Sequence, residues 1–407
     1  MKIALLGYGT VGSGAYELIQ KNKEMIQKKY NTNVQVSSIL VRNLQKYESY
    51  EHCDLFTTDP TEFLKDDVDV VIELIGGLDP AYEYIKSALK NKKHVISANK
   101  DLIAEHFTEL TDLAYNNNVS LNYEAAVAGG IPILKPIQSM LPGNLITDIY
   151  GIINGTTNFI LSQMYENNLS YAEALKIAQE SGFAESNPTS DVEGLDASRK
   201  LALLSMLSFG VKVPWKKILT TGITSIDSDD IKYAKELGKK VKLFAISKMT
   251  DQGLYLGVRP IYIYSNNALS KIDNEYNGIH LISEITGDLL LYGKGAGKFP
   301  TGSAVISDLL AIIDQNKVKK YELEDIEILT EYPEKTSWFV RFKSNDFSET
   351  TNKIFNKFNN YKFDLSTYDF NKEITMKIYD IKEASLKSLL DQLSVEMYKY
   401  YLIIKGD

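Results

Sequence analysis

The chain has 407 residues, of which 44% are hydrophobic and 24% charged, and its formal net charge is −8. At roughly 150 residues per domain that is about two to three folded domains. It is too apolar for a disordered chain and too acidic to turn a broad basic face toward nucleic acid or anionic lipid. The single cysteine, Cys53, excludes an intramolecular disulfide and a cysteine-based zinc cluster. His52, His94, His106 and His280 lie far apart and form no HExxH-type pair. No apolar run reaches the ~20 residues of a membrane span, and the opening apolar residues meet Gly7 too early for a secretory signal. A soluble, cytoplasmic protein is expected.

Residues 2–6 form a short apolar run that stops at Gly7-Tyr8-Gly9-Thr10-Val11-Gly12 and continues into a helical stretch around residues 15–26. Strand, GxGxxG and helix in that order predict a dinucleotide-binding turn. Gly7 makes the turn, Gly9 admits a pyrophosphate close to the main chain, and Gly12 lets helix and strand pack closely. The free amides at the helix start then face the phosphates. A second strand, residues 34–41, ends at Arg42, one of only four arginines in the chain (with Arg199, Arg259 and Arg341). An arginine at this place suits a 2′-phosphate and favours NADP(H) over NAD(H); a solvated charge at a strand end is the bland alternative.

Strands at 69–75 and 94–97, separated by a helix at 80–90, continue the alternation and predict a parallel, doubly wound sheet with its ligand at the strands' C-terminal ends. Gly76, Ser97 and Lys100 fall at such ends, beside the nicotinamide half of a cofactor, although Lys100 could equally cap the preceding element. From Ala125 onward, paired glycines mark a crossover into a second domain. There a strand at 146–153 meets Asn154-Gly155-Thr156-Thr157-Asn158, which has more polar groups than one helix cap needs.

Residues 178–200 carry the most information. Glycine and proline break a helix, a loop holds Glu185 and Asp191, and a new helix starts near Val192 with Asp196 and Lys200 at i,i+4. Carboxylates beside a lysine entering an apolar helix keep it protonated, as a general acid must be; a structural salt bridge is the commoner outcome at that spacing.

This segment resembles homoserine dehydrogenases. Ala178, Gly182, Phe183, Ala184, Asn187, Pro188, Asp191, Val192, Gly194, Asp196 and Lys200 match that family's pattern. The fingerprint at 7–12, Ser97-Ala98-Asn99-Lys100, residues 151–158 and Gly293-Lys294-Gly295-Ala296-Gly297 are similar too. The resemblance covers about residues 1–315 and implies reversible reduction of L-aspartate 4-semialdehyde to L-homoserine by NAD(P)H. It implies Lys200 as proton donor, Lys100 as a second cation, and Glu185 as acceptor for the substrate ammonium. Asp191 and Asp196 would orient Lys200 and the substrate, with Thr156 and Gly182 as further contacts. Phe183 stands where some relatives carry tyrosine, so a phenolic contact is not expected. Gly297 would lie near the nicotinamide. The family's monovalent cation, sodium, would sit on the backbone carbonyls of Glu124, Val127, Gly129 and Ile131. The resemblance also implies a homodimer, and the length leaves no room for a preceding aspartate-kinase region.

The expected domains are 1–130 with about 298–318 for the nucleotide, 131–297 for substrate and dimerisation, a linker at 318–334, and 335–407. The last reads as strand 338–342, helix 348–358, strands 362–368 and 373–378, helix 382–393 and strand 398–404. That βαββαβ order is ferredoxin-like and resembles the ACT domain that ends many bacterial relatives and can bind threonine. Its first loop, Ser344-Asn345-Asp346-Phe347-Ser348, lacks the usual proline and glycine, so a packing module is the competing reading. A silent nucleotide-binding sensor, and a dehydrogenase for another small amino-aldehyde or hydroxy acid, are the alternative functions. The full set Lys100, Glu185, Asp191, Asp196 and Lys200 speaks against the first, and Glu185 against simple hydroxy acids.

Overall fold

The structure is a computed structural model that describes residues 1–404 apart from Pro142, 316–317, 369–371, Ser394 and Glu396. The chain condenses into two compact units, one of residues 1–146, 198–217 and 276–325, the other of 147–197, 218–275 and 326–407.

The first unit opens with β1 (Lys2–Leu6), α1 (Thr10–Tyr30), β2 (Gln35–Leu40), β3 (Phe56–Thr57), β4 (Val70–Glu73), α2 (Ala81–Lys90), β5 (His94–Ser97), α3 (Lys100–Asn116) and β6 (Leu121–Asn122). The six strands form one parallel sheet in the order β3-β2-β1-β4-β5-β6. The order reverses at β1, and in open α/β sheets ligands bind beside such a switch point. Ile3, Leu5, Val70, Ile72 and Ile96 on one face and Leu6, Val71 and Val95 on the other are fully buried, as expected of strands covered on both faces.

The second unit holds most of β7 (Ile146–Ile152), then α4 (Gly155–Asn167), α5 (Tyr171–Glu180) and the one-turn α6 (Thr189–Val192). Gly194, at φ +80, ends that turn, and α7 (Leu195–Phe209) begins directly after it. The helix expected to start near Val192 therefore begins three residues later, at Leu195, behind a one-turn helix that ends at Val192. Next come β8 (Leu219–Thr220), α8 (Ser228–Glu236) and the long hairpin β9 (Lys239–Thr250) and β10 (Gly253–Tyr264). The chain returns to the first unit with β11 (Tyr276–Ser283), β12 (Gly287–Lys294) and α9 (Lys298–Ile313). α9 packs on α1 so closely that a Cβ on Gly14 would lie 2.4 Å from the Lys298 carbonyl oxygen.

The C-terminal segment is β13 (Ile328–Leu329), β14 (Thr336–Lys343), α10 (Phe347–Lys357), β15 (Phe363–Tyr368), β16 (Glu373–Ile381), α11 (Glu383–Asp391) and β17 (Met397–Ile404). From β14 on this is βαββαβ with the antiparallel order β17-β14-β16-β15. Its edge strand β17 pairs in parallel with β10, so the segment extends the second unit's sheet. Arg341 on β14 lies buried among Asp227, Asp230 and Glu373, tying α8 to β14 and β16. The βαββαβ segment thus shares a unit with residues 147–197 and 218–275, and residues 276–297 are grouped with residues 1–146.

Candidate active site

The glycine fingerprint takes the shape its spacing predicts. Gly7 has φ +101, and a Cβ on Gly12 would stand 2.3 Å from the Gly7 carbonyl oxygen, so neither position accepts a side chain without moving the loop. At Gly9 a Cβ would meet nothing within 4 Å; its Cα faces open space. α1 has Gly9 as its N-cap, with no side-chain cap and no acidic residue in its first turn. The amides around Thr10, Val11 and Gly12 are therefore presented at the positive end of a 21-residue helix. Gly7, Tyr8 and Gly9 form one side of a cavity of about 550 Å³, and Arg42, Asn43 and Lys46 line it as well. A glycine cradle, an uncapped helix start and two cations in one cavity fit a dinucleotide's phosphates. Lys46 was missed from the sequence; it stands in a short 3-10 turn, Leu44–Tyr47, that hydrophobic periodicity does not reveal.

At the ends of β4 and β5 the structure changes how Ser97 is read. Its side chain is fully buried; the hydroxyl donates to Glu73 Oε2 at 2.6 Å and accepts the Asn99 amide at 3.0 Å. The side chain sets loop geometry, its one hydrogen being committed to Glu73. Glu73, also fully buried, takes the amides of Ile75 and Gly76, and Asn99 Nδ2 donates to the Gly77 carbonyl at 2.6 Å. Burial pushes the Glu73 carboxyl above the usual carboxylate range. Gly76, at φ +76, has open space at its Cβ position, as a loop against a ligand needs.

Asn99 also caps α3, accepting the Leu102 amide, so Lys100 is the first residue of that helix. Asp101 follows, and its carboxylate lies 3.2 Å from Arg199 Nε. Arg199 immediately precedes Lys200 on α7, so the starts of the two lysine-bearing stretches meet. Gly297, at φ +119, is the N-cap of α9, which starts at Lys298 directly on the glycine loop.

In the second unit one amide organises the carboxylates. Asn154 Nδ2 donates to Asp191 Oδ1 at 2.7 Å and to Asp196 Oδ2 at 2.8 Å, while Asn154 Oδ1 accepts the Thr157 amide and caps α4. Thr156 Oγ1 lies 2.8 Å from the Phe183 carbonyl and 3.0 Å from Asp191 Oδ2. Its one hydrogen is thus spent within the protein, which makes it a support for Asp191 first and a contact to an incoming donor second. Glu185 is exposed in its loop, Gly182 has φ +77, and Phe183 packs its ring 4.6 Å from that of Phe159. Asn154 was read from the sequence only as part of a polar turn.

The segment expected to hold a cation is tightly folded, with φ +55 at Ala128 and +46 at Gly129. The buried Glu124 carboxylate accepts the amides of Ile133, Leu134 and Lys135. Its oxygens are spent on those amides, so a cation here would fall to the carbonyl oxygens of Glu124, Val127, Gly129 and Ile131. Among the described residues there is no His/Cys/Asp/Glu cluster suited to a metal ion, and no helix is long and apolar enough to cross a membrane.

Comparison with known proteins agrees with this geometry. Residues 7–124 match the family model for the homoserine dehydrogenase NAD-binding domain, and residues 132–310 match that for homoserine dehydrogenase. The homoserine dehydrogenase of Bacillus subtilis is 41% identical over 315 residues, covering 77% of this chain and 73% of that one. The crystal structure of a homoserine dehydrogenase from Thiobacillus denitrificans superposes with a TM-score of 0.90 at 31% identity, covering 100% of this chain and 98% of that one. A hyperthermophilic archaeal homoserine dehydrogenase, solved in complex with NADPH, gives a TM-score of 0.67 at 25% identity over 78% of this chain and 99% of that one. With a glycine cradle for a dinucleotide, a lysine-bearing helix and a bracketed carboxylate pair, and with relatives at this identity over most of its length, the chain belongs to the homoserine dehydrogenase family, oxidoreductases that interconvert L-homoserine and L-aspartate 4-semialdehyde in the threonine and methionine pathway.

Proposed function

We propose that the chain runs this reaction with NADP(H) as the preferred cofactor and Lys200 as the proton donor. The bound nicotinamide supplies the hydride to the aldehyde carbon. Charge then develops on the carbonyl oxygen, and a positioned ammonium stabilises it and completes the alcohol by giving up a proton. Lys200 takes that role, Lys100 stands as a second cation, and Glu185 receives the substrate ammonium. Asp191 and Asp196 hold their orientation through Asn154 and Thr156. The observation that carries this reading is the Asn154 bracket on Asp191 and Asp196, since Asp196 lies one helical turn before Lys200 on α7. Gly7–Gly12, Gly76, Arg42 and Gly297 belong to the cofactor. Arg42 and Lys46 in the phosphate cavity support NADP(H), in line with the archaeal relative's NADPH complex. The sodium site on the 124–131 carbonyls, the homodimer, the cytoplasmic location and the three functional regions of the sequence reading complete the proposal.

Lys200→Ala should cut kcat about a thousandfold or more while leaving NADPH affinity almost unchanged; near-normal turnover, followed by nicotinamide absorbance with homoserine, would remove Lys200 from the mechanism.

The C-terminal βαββαβ order supports an effector role. Against it, Ser344 Oγ is within 2.8 Å of both the Asp346 carbonyl and Thr350 Oγ1, so the first loop satisfies itself. Threonine titrated to millimolar levels without effect on rate would leave the segment as a packing module.

A further inference from the structure

Lys100 and Lys200 are a hundred positions apart, so something other than chain connectivity must set the distance between them. Asp101 and Glu105, at i,i+4, share one face of the first turns of α3. Arg199 Nε approaches Asp101 at 3.2 Å, and the Arg199 guanidinium lies 4.4 Å over the Trp215 ring. Trp215 Nε1 in turn donates to Glu105 Oε2 at 2.8 Å, and Lys216 Nζ to Glu105 Oε1 at 2.8 Å. Asp101, Arg199, Trp215 and Glu105 close a loop of contacts from α3 to α7, through the short turn Trp215–Lys217, and back to α3.

An exposed ion pair alone would be weak and loosely held. Here the Arg199 side chain is only 17% exposed, and a flat guanidinium stacked on an indole has its orientation fixed as well as its charge paired. Each member of the central pair is the chain neighbour of a lysine: Asp101 follows Lys100, and Arg199 precedes Lys200.

We propose that Asp101 and Arg199 are positioning residues, a latch that fixes the α3 lysine relative to the α7 lysine, with Trp215 and Glu105 holding the latch in one geometry. The proposal rests on the reading of Lys100 and Lys200 as the cations of the reaction. It makes the latch act on turnover rather than on binding, because the dinucleotide fingerprint and Arg42 lie on other elements.

The test is a charge-exchange series on the full chain: Asp101→Asn, Arg199→Lys, Asp101→Arg, Arg199→Asp, and the double exchange Asp101→Arg with Arg199→Asp, with melting temperatures recorded for all. The expected result is a fall in kcat of about ten- to a hundredfold in each single variant, the scale of a displacement of order 1 Å at a reacting centre. NADPH affinity, by fluorescence titration, and KM for homoserine should move by less than about threefold. The double exchange should recover about tenfold over Asp101→Arg and over Arg199→Asp, which simple addition of their two losses would not give. Arg199→Lys keeps the charge while losing the fork and the stack, so a reduced kcat at an unchanged melting temperature separates latching from gross stability. Folded single variants with kcat within about twofold of the parent, or a double exchange whose losses add, would overturn the latch. Lys200→Ala runs alongside: retained turnover there defeats the underlying lysine assignment, whereas an inactive Lys200→Ala beside a normal Asp101→Asn defeats the latch alone.

Discussion

The two regions proposed to carry the chemistry are built from different materials. The cofactor turn is main chain: Gly7, Gly9 and Gly12 contribute the absence of side chains, and the start of α1 leaves its amides without a side-chain cap. The carboxylate cluster is side chain throughout, with Asn154, Thr156, Asp191 and Asp196 in mutual hydrogen bonds. A main-chain site is broken by volume and a side-chain site by charge, so each should fail in its own kinetic parameter.

Asn154→Asp is the sharpest way to break the second region. It keeps the size and the cap on Thr157 but replaces a donor to two carboxylates by a third carboxylate, 2.7 and 2.8 Å from its neighbours. Like charges so close repel by several kcal/mol even at an effective dielectric of about 20. The expected outcome is a fall in kcat of about a hundredfold or more with NADPH affinity retained, relieved as pH is lowered and a proton enters the cluster. A loss confined to cofactor binding would erase the distinction between the regions.

Gly12→Ala is the matching test of the first. The added methyl would sit 2.3 Å from the Gly7 carbonyl oxygen, so the turn must open. KM for NADPH should rise by about ten- to a hundredfold while kcat at saturation changes much less, since the amide cradle binds ground state and transition state alike. A fall in kcat alone would sink the assignment.

How far each region is legible in the sequence follows from the same contrast. Glycine sterics are local, so GxGxxG announces its turn by spacing alone, and the βαββαβ order of residues 336–404 is visible in its periodicity. Asn154 looks like a helix cap, and it is one; its other end, bridging residues 37 and 42 positions away, has no local signature. The Arg199–Asp101 contact spans 98 residues and the pairing of β17 with β10 well over a hundred, distances at which pattern says nothing. Glu73 does leave a sign, a carboxylate inside an otherwise apolar strand, but only its bonds to Ser97 and the 75–76 amides show what it holds.

A smaller effect is expected at Arg42, which lines the same cavity as Gly7, Gly9 and Lys46. Arg42→Ala should lower kcat/KM for NADPH by about tenfold or more, the worth of one charge-assisted phosphate contact, and leave NADH nearly untouched. A wild-type enzyme that already favours NADH would reverse the cofactor preference proposed here.

The smallest effect tests stability rather than turnover, at a buried cation in the second unit. Lys242, whose side chain is 1% exposed, donates to Asn158 Oδ1, the Ile272 carbonyl and Asp273 Oδ1. Burial outweighs the attraction of Asp273 and lowers the ammonium from 10.5 to about 8. Below that value both folded and unfolded chains hold the proton, and the folded state bears the full cost of the buried charge. Between about 8 and 10.5 the unfolded chain holds more protons than the folded one, so this group's contribution to stability rises with pH across that window. Lys242→Met removes the titration, and Asp273 keeps Lys240 at 2.7 Å. The melting temperature of the wild type minus that of the variant should therefore climb as pH is raised through that window. A difference independent of pH would mean that the Lys242 ammonium stays charged in the folded protein.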